Sequence, residues 1–107
     1  MGSERRRFPR YPFVADTEIT DIASNTRLGG RSGDLSMGGC FLDMVNPLPE
    51  GTEIRVTAHH ASASFTAVGR VVFVFPNAGM GVIFTNVEED QFAVLRKWFA
   101  DLSGSKE

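Results

Sequence analysis

With 107 residues, 42% of them hydrophobic and 22% charged, the chain has the make-up of one folded domain and is too apolar for wholesale disorder. The net charge of −2 conceals an asymmetry: residues 1–10 hold four Arg and one Glu (+3), against seven basic and twelve acidic residues elsewhere (−5). An acidic body argues against a general nucleic-acid surface, which spreads positive charge over a whole face. Cys40 is the only cysteine, so no intramolecular disulfide forms. No apolar run approaches the ~20 residues of a membrane span, and the N-terminus lacks the apolar stretch of a signal peptide. Together these predict a cytoplasmic protein without membrane insertion.

Along the chain, short extended runs alternate with turn residues. Residues 13–20 place Phe13, Ala15, Thr17 and Ile19 on one side, with Pro12 at the entry. Residues 26–34 are Gly-rich and polar and read as a weak strand. Cys40, Phe41 and Leu42 form a short apolar run, and Asn46-Pro47-Leu48-Pro49-Glu50-Gly51 is a turn or loop. Residues 52–58 alternate, with Ile54 and Val56 pointing one way. Residues 64–75 form the strongest strand, and Gly69 in its interior predicts a bulge or tight bend. Pro76-Asn77-Ala78-Gly79 turns the chain into Gly81-Val82-Ile83-Phe84.

After Asn86 the period changes. Asn86 and Glu89 resemble a capping box. Phe92, Leu95, Phe99 and Leu102 recur at helical spacing, with Glu88, Glu89 and Asp90 where the helix dipole favours anions. These runs predict a six-stranded antiparallel β-barrel of Greek-key type, capped by an amphipathic α-helix over about residues 87–102.

Two segments carry candidate chemistry. Arg5, Arg6, Arg7 and Arg10 offer planar guanidinium forks that bind phosphate bidentately, grip the O6/N7 edge of guanine or stack on a base. Pro9 and Pro12 disfavour helix there, so the arginines are presented from an extended segment. By charge alone the segment is also a solvated basic tail. Some 24 residues on comes Asp34-Leu35-Ser36-Met37-Gly38-Gly39. On a strand, Asp34 and Ser36 would share one side. A carboxylate matches the N1–H and N2–H donors of guanine, and Gly38 and Gly39 permit a sharp turn or a close approach. A plain Ser/Asp turn before a glycine hairpin has the same residues.

Together, Arg6-Arg7-Phe8-Pro9-Arg10 and Asp34-Leu35-Ser36-Met37-Gly38-Gly39 resemble the paired signatures of the PilZ domain family, Arg-X-X-X-Arg and Asp/Asn-X-Ser-X-X-Gly. Gly69-Arg70-Val71-Val72, the run from Gly79 to Phe84 and the acidic helix start extend the likeness along nearly the whole chain. The resemblance implies a receptor for cyclic di-GMP, a bacterial second messenger, and a regulatory module rather than an enzyme. It implies that Arg6 and Arg10 grip phosphates and guanine edges, that Asp34 and Ser36 read a guanine, and that Gly38 and Gly39 belong to the same wall, with Gly39 keeping it clear. Arg5 implies an intercalated pair of ligand molecules. Residues 1–12 would then be a flexible ligand-clamping arm and residues 13–107 the barrel with its helix. An unidentified protein effector, in motility or biofilm control, would receive the signal. The competing readings are a ligand-free adaptor of the same family and an oligonucleotide-binding barrel, which the acidic body disfavours.

Other residues are read without such a role. His59 and His60 are adjacent and diverge on a strand, so no metal site is expected. Cys40 is expected to be a buried small hydrophobe. Trp98 belongs either to the core or to a partner surface. Phe73 or Phe75 is a candidate for the pocket wall, although barrel alternation places one of each adjacent pair inside.

Overall fold

Side chains alternate between the two faces of the sheet, and one face turns inward as the sheet closes into a barrel. In the computed structural model, which describes residues 11–102, the strands are β1 (Tyr11–Pro12), β2 (Asp16–Asp21), β3 (Thr26–Leu35), β4 (Gly39–Asp43), β5 (Glu53–His60), β6 (Ala63–Phe75) and β7 (Gly79–Asn86), followed by helix α1 (Glu89–Leu102). All pairings are antiparallel, in the order β1-β3-β2-β5-β6-β7-β4, and β4 returns to pair with β3. Six strands thus form a closed barrel, with the two-residue β1 laid against β3. The β4–β5 connection crosses one end, which is the Greek-key step.

Inward positions alternate as the sequence predicts. Ile19, Leu42, Ile54, Val56, Phe65, Val71, Met80 and Val82 fill the interior, as side chains fill any barrel of this size. Each such side chain contributes roughly 1.5–3 kcal/mol by leaving water. Two polar residues also point inward. Ser32 Oγ donates to the Phe13 carbonyl and accepts from Ala15 N, tying β3 to the chain entry. Thr17 Oγ1 is buried and has no hydrogen-bond partner among the described residues.

The bulge expected at Gly69 is present: the β6–β7 register shifts between Val68 and Gly69. A Cβ at Gly69 would lie 2.6 Å from the Ile83 carbonyl oxygen, so close strand approach requires glycine there. The polar run read as a weak strand is the ten-residue β3, which is paired on both sides. Its partners, rather than its own side chains, hold it extended.

The helix begins at Glu89, two residues later than expected. Asn86 instead ends β7, and the Glu88 carbonyl accepts the first helical bonds, from Gln91 N and Phe92 N. Strand pairing with Val68 takes precedence over capping at Asn86. Helix α1 covers the barrel end where β2 and β6 start. Leu95 and Trp98 are its buried residues, and Phe92 and Phe99 are half-buried. Trp98 is therefore core, packing on Phe13 and Phe65 with ring centroids 5.2 and 6.4 Å away. Gln91 Oε1 accepts from Thr66 N at 2.7 Å and fixes the first turn of the helix on β6. Cys40 is buried, as expected. No helix among the described residues is long and apolar enough to cross a membrane.

Candidate ligand-binding site

The site predicted from Asp34 to Gly39 is the hairpin turn between β3 and β4. Leu35 pairs with Cys40, and Ser36 N donates to the Gly39 carbonyl at 2.8 Å, leaving Met37 and Gly38 as the tip. Ser36 does not lie on the strand, as the alternation argument required, because β3 ends at Leu35. Its side chain is buried and serves the turn. Ser36 Oγ accepts from Gly38 N (3.2 Å) and Gly39 N (3.1 Å) and donates to the Gly39 carbonyl (3.2 Å). One hydroxyl thus satisfies two backbone donors that the tight turn leaves without strand partners.

Asp34 is held differently. The β3–β4 register shifts between Ser32 and Asp34, a bulge centred on Gly33 that re-aims the following side chain. Asp34 Oδ1 accepts from Phe41 N at 3.1 Å, so the carboxylate is fixed beside β4. Gly33 lies under a second carboxylate: a Cβ there would come within 3.1 Å of Asp43 Oδ1.

The two turn glycines have separate reasons. Neither adopts a positive φ; among the described glycines only Gly51 does. A Cβ at Gly39 would lie 2.2 Å from the Val82 carbonyl oxygen, so β7 requires glycine at that position whether or not a ligand is present. Gly38 instead works through its backbone, its carbonyl accepting from Phe84 N at 2.8 Å. The turn is thereby bonded to β7, just ahead of the helix. Met37 and Gly38 form one wall of a shallow groove of about 480 Å³, and Phe84, Val87 and Phe92 form the other.

Arg5, Arg6, Arg7 and Arg10 lie outside the described residues. The first described residue, Tyr11, pairs with Leu35, and Pro12 pairs with Asp34. The Tyr11 ring rests on Phe99 of α1 at 5.1 Å. The chain therefore joins the barrel immediately beside the Asp34–Gly39 turn.

The two histidines have separate surroundings. His59 Nε2 lies 3.1 Å from Glu18 Oε2 and its Nδ1 lies 3.0 Å from Ser64 Oγ, while the His60 ring packs on Phe13. Among the described residues no cluster of three or more His, Cys, Asp or Glu could hold a metal ion.

Sequence reasoning missed Phe41. It lies on the outer barrel face beside Asp34, with Phe73 at 6.2 Å and Phe75 at 6.1 Å. Phe73 and Phe75, near the end of β6, both point outward, whereas Phe65 near its start points into the core. The alternating glycines Gly79 and Gly81 on β7 were the available signal, since they strip the outer face between β4 and β6.

A closed six-stranded barrel with a helix over one end, and a serine-pinned hairpin beside the chain entry, define a small helix-capped β-barrel. The PilZ domain model matches residues 4–101, nearly the whole chain, and this protein belongs to the PilZ domain family. Solved structures agree on the fold. The PilZ domain of YcgR from Escherichia coli, a structure with c-di-GMP, superposes with a TM-score of 0.76 at 19% identity, over 92% of each chain. The PilZ domain of CeSA from a cellulose-synthesizing bacterium gives 0.68 at 20% identity, covering 92% of this chain and 99% of that one. The Bacillus subtilis inhibitor of motility, MotI/DgrA, gives 0.77 at 16% identity over 96% of this chain, which spans only 54% of that protein. No curated protein matches by sequence.

Proposed function

We propose that this protein is a cyclic di-GMP-binding regulatory module that carries out no chemistry of its own. The observation that carries the reading is the pairing of Tyr11 with Leu35 and of Pro12 with Asp34. It joins the arginine segment to the barrel beside the signature turn, so Arg10 is one residue, and Arg6 five residues, from a strand bonded to that turn. At about 3.3–3.6 Å per extended residue, both stay within reach of a ligand resting there. Arg6 and Arg10 grip phosphates and guanine edges, and Asp34 accepts from a guanine's N1–H and N2–H. Ser36, Gly38 and Gly39 set the shape of the turn against which the ligand lies. Arg5 extends the cationic surface to a second, intercalated ligand molecule.

Charge supports this assignment. Each ligand molecule carries two negative charges, and the only strongly basic segment of a net-acidic chain is the one beside the turn. The YcgR PilZ domain that shares this fold has a structure with c-di-GMP. Contact of the arginine segment with the ligand changes the surface next to α1, where a protein effector, in motility or biofilm control, would read the bound state in the cytoplasm.

Calorimetric titration of cyclic di-GMP tests the assignment. Arg6→Ala and Arg10→Ala should each weaken binding about 10- to 100-fold, the worth of a bidentate guanine or phosphate contact. Unchanged affinity in both variants would remove the arginines from the site. A wild-type protein silent toward cyclic di-GMP would leave the ligand-free adaptor as the better reading.

A further inference from the structure

One row of residues crosses four strands of the outer barrel face in register: Asp34 on β3 opposite Phe41 on β4, Phe41 opposite Gly81 on β7, and Gly81 opposite Phe73 on β6. With neighbouring strands about 4.8 Å apart, the row extends about 14 Å from the carboxylate to the far ring. The next row runs Asp43, Gly79, Phe75. The β7 position in each row is glycine, and the rings occupy the space a side chain would take. A Cβ at Gly81 would lie 2.2 Å from the Phe73 ring, and one at Gly79 would lie 2.7 Å from the Phe41 ring. The rings therefore reach over the β7 backbone into the space its glycines leave free. Phe41 and Phe73 are inclined by only 24°. Phe73 and Phe75 remain 36% and 55% exposed, with Val72 and Ile83 exposed nearby. Nothing in the core accounts for three phenylalanines gathered on the wet face of a barrel.

We propose that Phe41, Phe73 and Phe75 form a stacking shelf for a purine base, continuous with Asp34, so that the ligand's base edge and base face are bound by one cross-strand row. The inference rests on the receptor reading above and adds to it a subsite that runs from Asp34 across the outer faces of β4, β7 and β6. The occupant is a base rather than a protein surface because the shelf begins at the carboxylate suited to a guanine edge. Its glycine-backed floor also offers a flat π-face, which every base can use.

The experiment uses the full chain and cyclic di-GMP. Phe73→Ala and Phe75→Ala should each weaken binding about tenfold, and Phe73→Tyr should retain most of it, because a ring of the same shape stacks alike. NMR of the wild-type complex should show contacts between guanine H8 and the Phe73 or Phe75 ring protons. Wild-type binding with alanine variants of equal affinity would overturn the shelf while leaving the receptor reading intact, and would assign the rings to a protein-facing surface. Loss of binding in Phe73→Tyr as severe as in Phe73→Ala, or a complex without ring contacts, would also overturn it. No binding by the wild-type protein would overturn both proposals.

Discussion

The barrel holds two aromatic groups of nearly the same ring spacing and opposite surroundings. Inside, Phe65 stands 5.4 Å from Phe84 and Trp98 stands 5.2 Å from Phe13. Outside, Phe73 stands 5.4 Å from Phe75 and 6.2 Å from Phe41. Ring geometry does not distinguish the groups; water does, since Phe65 is 1% exposed and Phe75 is 55% exposed. The inner group is explained by the area it removes from solvent and by sealing the barrel under α1. The outer group removes less area from solvent on folding, least of all Phe75, and the shelf proposed above gives it a reason that the core does not.

The strongest way to break this comparison is at Trp98. It joins the helix to Phe13, Phe65 and the edge of His60, at 3% exposure. Trp98→Ala should cost about 3–5 kcal/mol, a large share of the 5–15 kcal/mol that hold a small domain together. Urea denaturation followed by circular dichroism measures it. A loss below about 1 kcal/mol would mean that α1 is not needed to close the barrel.

A smaller effect sharpens the comparison at Gly81. The added methyl of Gly81→Ala meets the far end of the Phe73 ring, which can swing into water. Moving one ring off its rotamer costs about 1 kcal/mol. At Gly39 the obstacle is the Val82 backbone carbonyl, which cannot swing aside. Equilibrium unfolding of Gly81→Ala should therefore show a modest loss, with the aromatic NMR signals of Phe73 and Phe41 displaced. A loss as large as that for Trp98→Ala would show that the outer rings are as structural as the inner ones.

Much of this arrangement was legible in the sequence, because period-two alternation reports which face meets the core. Phe13, Ala15, Thr17 and Ile19 are all buried, as are Ile54 and Val56. Gly69 announced its bulge. Three features were hidden for physical reasons. β3 owes its extension to neighbours on both sides, which no local propensity reports. The turn between β5 and β6 is made by Ala61 and Ser62 at φ 52° and 67°, residues that seldom signal a two-residue hairpin. The alternation that would put Ser36 on one side with Asp34 does not reach it, because β3 ends at Leu35, where the hairpin closes. In the candidate site, residue types and spacing were readable, while the Asp34–Phe41–Gly81–Phe73 row depends on a register across four strands that only the folded barrel supplies.

The finest test is Phe75→Ala, read as stability alone. If the outer rings are a ligand shelf, deleting the most exposed of them should change unfolding free energy by no more than about 0.5 kcal/mol, as surface substitutions do. That corresponds to about 2–4 °C in Tm for a domain near this size. The ring also touches Phe41 and Phe73, so an alternative role is to shield them, and through them β7, from water. A loss well above 1 kcal/mol would favour shielding, because the ring would then be stabilising the fold in the absence of any ligand. A near-zero change would leave the fold indifferent to Phe75, and an exposed aromatic ring to which the fold is indifferent is one that a bound molecule has reason to use.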